Sequence, residues 1–98
     1  MIDISGLGVQ FRGYPVTLLS EGAAQAIGTG HWAQDDLTAA LLRALRAARD
    51  TAEPGEPSGW IFEADLDGTA VWVERFGGMR SQDSHEGGQW SVYLPAER

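Results

Sequence analysis

Residues Trp32–Asp50 read WAQDDLTAALLRALRAARD, the most strongly periodic run in the chain. Leu37, Leu41, Ala44, Leu45 and Ala48 recur at spacings of three and four, which puts them on one face of a helix. Asp35, Arg43, Arg46, Arg49 and Asp50 fall on the opposite face. Asp35 and Asp36 occupy the first turn and the arginines the later half, an order that complements the helix dipole. Thr29, within Gly28-Thr29-Gly30, is placed to cap the start, and Pro54-Gly55 forbids continuation. The spacing predicts one long helix of about 18 residues, roughly 27 Å at 1.5 Å per residue. Leu42 lies off the apolar stripe.

A helix with a single apolar face needs a sheet to lie on, and the flanking sequence supplies strands. Residues 60–76 alternate around Asp67-Gly68, a dipeptide suited to a two-residue hairpin turn. With that turn, Leu66 faces Thr69, Ala64 faces Val71, Phe62 faces Val73, and Trp60 lies near Arg75. One face then carries Trp60, Phe62, Ala64, Leu66, Val71 and Val73, and is expected to pack under the helix. The other face carries Ile61, Glu63, Asp65, Trp72, Glu74 and Phe76.

Towards the N-terminus, Ile2 and Ile4 alternate in one phase and Leu7, Val9 and Phe11 in the other. Ser5-Gly6 at the slip suits a bulge or bend. Arg12-Gly13-Tyr14-Pro15 reads as a turn and Val16–Leu19 as a strand, making 7–19 a hairpin. Ser20 can cap a short helix over 21–27. Residues 51–59, TAEPGEPSG, form an exposed loop, and 79–88, MRSQDSHEGG, a polar one. Gln89–Leu94 is a last strand, with Trp90, Val92 and Leu94 facing one way and Tyr93 the other. The expectation is a single α+β domain, 1–98. It has an antiparallel sheet of four to five strands in the order β-β-α-α-β-β-β, with one long helix on one face.

Composition limits the function. The chain has 98 residues, no cysteine and a formal net charge of −7. Without cysteine there is no disulfide and no thiolate chemistry, which fits a reducing compartment. Residues 1–49 hold four acids and four arginines, whereas 50–98 hold ten acids and three arginines. The acidity therefore belongs to the second half. It disfavours direct nucleic-acid binding, which needs clustered positive charge, and it suits a basic protein partner. No apolar run is long enough for a membrane span and no secretory leader is evident, so a cytoplasmic protein is expected.

The expected partner-binding residues are Trp72, Phe76, Ile61, Glu63, Asp65 and Glu74. Large aromatics ringed by acids resemble the anchored centre of a protein interface. Two alternatives would hide this face: the N-terminal hairpin folding over it, or self-association. The second would make the chain a homo-oligomeric structural subunit. Asp83-Ser84-His85-Glu86 offers the side chains of an enzyme or ligand site. A catalytic triad needs specific geometry rather than adjacency, so no catalytic residue is assigned and the chain is expected not to be an enzyme. His31 at the helix start reads as part of the cap. Asp65-Leu66-Asp67-Gly68 lacks the later ligands of a calcium loop, position 76 being Phe, so no metal or cofactor is expected.

Glu86-Gly87-Gly88-Gln89-Trp90 is similar to a Gly-Gly-x-Trp strand opening in some bacterial immunity proteins that neutralise polymorphic toxins. The similarity covers five of 98 residues. It implies an inhibitor, in keeping with a small acidic binding module, bacterial or phage, directed at a basic target. A protein that imitates nucleic acid to block a basic nuclease is one form of that expectation.

Overall fold

The computed structural model describes residues 2–26, 34–56, 58–77 and 88–97. The elements follow the chain as β1 (Ile2–Asp3), β2 (Gln10–Phe11), β3 (Tyr14–Leu19), α1 (Glu21–Ala26), α2 (Gln34–Arg46), β4 (Arg49–Asp50), β5 (Ile61–Leu66), β6 (Thr69–Phe76) and β7 (Gln89–Tyr93), with 3-10 turns at Ser5–Leu7 and Pro95–Glu97. The strands form one seven-stranded sheet in the order β1-β3-β7-β6-β5-β4, and β2 pairs with β3.

The β5–β6 hairpin has the register its sequence predicts, with Leu66 opposite Thr69, Ala64 opposite Val71 and Phe62 opposite Val73. Asp67 and Gly68 have φ of 50° and 93°, the positive values a tight primed turn requires. The Asp65 carboxylate secures the turn by accepting the Gly68 N–H at 2.6 Å. A second hairpin is built the same way. Arg12 and Gly13, with φ of 51° and 87°, join Phe11 to its opposed residue Tyr14. Strand β3 therefore starts at Tyr14, earlier than expected. Pro15 sits in it opposite Gln10, and the neighbouring Val16 N–H donates to the Val9 carbonyl at 2.9 Å. The phase slip at Ser5-Gly6 is a 3-10 turn followed by Gly8 in the left-handed region.

Two expectations are corrected. The sheet is larger than four to five strands and is not wholly antiparallel, because β3 runs parallel to β7, pairing Val16 with Trp90 and Leu19 with Val92. A parallel pair needs a long crossover, and here everything from α1 to β6 lies between the two strands. The additional strands β1, β2 and β4 have two residues each, too few to produce a visible alternation. The helix also stops sooner than expected. Ala47 and Ala48 close it with bonds to Ala44 and Leu45, three residues back, and Arg49–Asp50 then pairs with Glu63 and Phe62 at the edge of β5. Sheet hydrogen bonds replace the last helical turn. The Asp50 carboxylate accepts the Ala52 and Gly59 N–H groups at 2.9 and 2.7 Å, fixing the two ends of the following loop.

The core lies between the helices and one sheet face. Leu37, Ala40, Leu41, Ala44 and Leu45 of α2, and Ala23 and Ala24 of α1, pack with Phe62, Leu66, Val71, Val73, Trp90, Val92, Val16 and Leu19. Leu42 is 44% exposed, the one exposed large apolar side chain among the described residues. At one end of this face Phe11, Phe62 and Trp90 meet edge to face, with centroids 4.9 to 5.6 Å apart. Such contacts add to the area the rings bury. Trp90 Nε1 donates to the Phe11 carbonyl at 2.7 Å, so the buried indole keeps its hydrogen bond. Ser20 caps α1 as expected, its Oγ accepting the Ala23 N–H at 3.0 Å. Thr29, His31 and residues 78–87, including Asp83, His85 and Glu86, lie outside the described residues.

Candidate functional site

Alternation along β5 and β6 places Ile61, Glu63, Asp65, Trp72, Glu74 and Phe76 on the sheet face turned away from the helices. In register, Trp72 stands opposite Glu63 on β5 and Tyr93 on β7. Ile61 opposes Glu74, and Phe76 opposes Gln89. The four larger central residues, Ile61, Trp72, Glu74 and Phe76, are half-buried, while Glu63 and Asp65 are exposed. The N-terminal hairpin does not cover this surface. It joins the sheet through β3, and Phe11 packs on the opposite face against Phe62 and Trp90.

Each carboxylate has a partner of its own. Glu63 pairs with Arg49 at 3.1 Å, both side chains being exposed. Asp65 holds the Gly68 N–H, as described above. Glu74 accepts the Tyr93 hydroxyl at 3.0 Å. Tyr93 is itself buried, so this bond orders the middle of the face. The Glu74–Tyr93 link follows from the β6–β7 register, and the alternation of the last strand was the signal available for it. The Glu63–Arg49 pair is not legible in the sequence, because the periodicity continues the helix through Arg49. Exposed pairs of this kind contribute at most about 1 kcal/mol, so an incoming charge can displace them.

Beside Trp72, at the β5 edge, an open depression of about 390 Å³ is lined by Ala47, Arg49, Glu63, Asp65, Ala70 and Trp72, among others. It lies where the chain, coming from α2, joins the sheet edge as β4 begins at Arg49. Its walls combine an indole, small apolar side chains and both signs of charge.

Asp65 and Asp67 do not share a ligand position. Asp67 pairs with Arg43 at 3.1 Å while Asp65 closes the turn. Among the described residues no three His, Cys, Asp or Glu side chains converge. Among them, too, no helix is long and apolar enough to cross a membrane. No protein-family model, curated protein or solved structure matches the chain.

Proposed function

We propose that the chain is a small acidic cytoplasmic protein-binding module whose contact surface is the Trp72 face of the sheet, and that it acts as an inhibitor or immunity-type protein on a basic partner. The observation that carries this reading is the position of Trp72. It lies at the middle of a sheet face that neither α1 nor α2 covers, between Glu63 and Tyr93 in register and beside the open depression at the β5 edge. Tryptophan is among the residues that most often dominate interface energetics. Glu63, Asp65 and Glu74 surround it with negative charge, which selects a basic surface and speeds encounter more than it tightens the final complex.

The test is binding of a basic partner by the wild type and by Trp72→Ser, with sedimentation equilibrium of both. A folded monomeric wild type that binds, weakens with added salt and loses binding in the folded variant supports the proposal. A wild-type dimer that becomes a folded monomer on Trp72→Ser assigns the same face to self-association, making the chain a structural subunit. Loss of the fold in Trp72→Ser makes Trp72 a core residue and removes the proposal. Asp83, His85 and Glu86, the side chains of an alternative enzyme or ligand site, lie outside the described residues.

A further inference from the structure

Two arginines at one end of the core face have aromatic neighbours and, among the described residues, no acid paired with them. The Arg75 guanidinium carbon lies 3.9 Å from the Tyr14 ring centroid and 4.6 Å from that of Trp60. Arg12 lies over Phe62 at 5.1 Å. The rings connect the two positions: Phe62 touches Trp90, and Trp90 is the residue opposed to Arg75 across β6 and β7. The ion pairs among the described residues are Arg43–Asp67 and Arg49–Glu63, so neither Arg12 nor Arg75 belongs to one. Among the described residues, Arg75 Nε is the one buried side-chain nitrogen or oxygen without a hydrogen-bond partner. The residue as a whole is half-buried.

The backbone holds this group in place. The Arg75 N–H donates to the Trp60 carbonyl at 2.8 Å, which fixes the spacing of the two side chains. Gly88 closes the third side. A Cβ there would stand 2.8 Å from Arg75 Nε and 2.9 Å from Tyr14 Cδ1. We propose that Arg75, with Arg12 over the ring of Phe62 at the same end of the core face, receives an oxyanion, a carboxylate or phosphate group, at this end of the sheet.

Three arguments support the assignment. A guanidinium stacked on rings has its flat faces occupied and its edge donors left in plane, the arrangement that meets carboxylate and phosphate oxygens two at a time. Its orientation is set before any ligand arrives, which lowers the entropy lost on binding. The chain carries 14 acids against seven arginines, yet none of the described acids pairs with either of these two. The anion would meet a site separate from the Trp72 face, since Arg75 and Trp72 project from opposite sides of β6.

The experiment follows the Arg75 Nε–H resonance and the Gly88 amide by NMR, as inorganic phosphate or acetate replaces chloride at constant ionic strength. Saturable displacement of both signals is expected. Saturation by phosphate alone identifies phosphate as the source, and saturation by acetate alone identifies carboxylate. Arg75→Lys keeps the charge but loses the fork, and should weaken saturation of the Gly88 signal roughly tenfold, the scale of one hydrogen bond to a charged group. Arg12→Gln should weaken it as well. If neither probe saturates the wild type, the proposal is overturned and Arg75 serves packing alone. If Arg75→Lys fails to fold, saturation undiminished in Arg12→Gln overturns the two-arginine site.

Discussion

Ser20 Oγ accepts the Ala23 N–H at the start of α1 and donates to Glu97 Oε1 at 2.7 Å. The same carboxylate oxygen accepts the Leu94 N–H at 2.9 Å. One oxygen thus joins the cap of α1 to the turn after β7. The Ser20 bond first, and the Leu94 bond second, hold the Glu97 carboxyl below the ordinary glutamate value of 4.5. A carboxyl with a lowered folded pKa contributes stability that is complete above its unfolded value and lost as pH falls through the folded one. Glu97→Gln should therefore lower stability most at neutral pH and converge with the wild type in acid, flattening the limb below about pH 4.5 in urea unfolding. Ser20→Ala removes the cap and the latch together and should cost about 1 kcal/mol at neutral pH. Gly22 belongs to the same contact, since a Cβ there would lie 2.8 Å from Glu97 Oε1 and from Leu94 Cδ1. Ser20 was recognisable as a cap because it precedes a short apolar run. Glu97 was not, since its donor lies 77 positions away in sequence.

At the scale of elements, α2 sorts its leucines sharply. Leu37 and Leu41 are buried in the core, while Leu42 faces outward. Leu41→Ala should cost about 2 to 5 kcal/mol, and Leu42→Ser should stay within about 0.5 kcal/mol, in the same denaturant series. Equal effects would place α2 in a different rotation about its axis. In the β5–β6 hairpin, Gly68 at φ 93° admits a side chain only with strain, so Gly68→Ala should destabilise by about 1 kcal/mol or more. These two elements were the most legible in the sequence. A period near 3.6 marks the helix, and Asp67-Gly68 marks the turn and hence the register. The helix end was illegible for a physical reason. Arg49 and Asp50 continue the polar face of the pattern, yet their backbone gains more by pairing with β5 than by adding a helical turn. The Trp72 face followed from the hairpin register alone. The Arg12 and Arg75 positions did not, because they depend on how three separate strands converge on Phe62, Tyr14 and Trp90.

At the scale of the whole molecule, the sheet has two parts of different origin. One is the meander β5-β6-β7, built from neighbours in the chain, and the other is β1–β3 near the N-terminus. The β3–β7 ladder joins them, and its parallel direction was not legible because nothing local specifies which distant strand a strand will meet. That ladder has a consequence in time. Val16 and Trp90 pair across 74 positions of sequence, whereas the hairpin turn closes over two residues, Asp67 and Gly68. Loop closure over the longer span costs more entropy before any contact repays it. The meander should therefore form early in folding, and the seam with β3 late. Val71→Ala in the hairpin should mainly slow refolding, while Val16→Ala in the seam should mainly speed unfolding, as read from the two arms of a denaturant chevron. The opposite pattern would mean that the distant strands meet first. With the expected order, the chain passes through a stage in which β7 presents an unpaired edge to solution. The lifetime of that stage, more than the strength of any finished contact, sets how readily the chain associates with copies of itself while it folds.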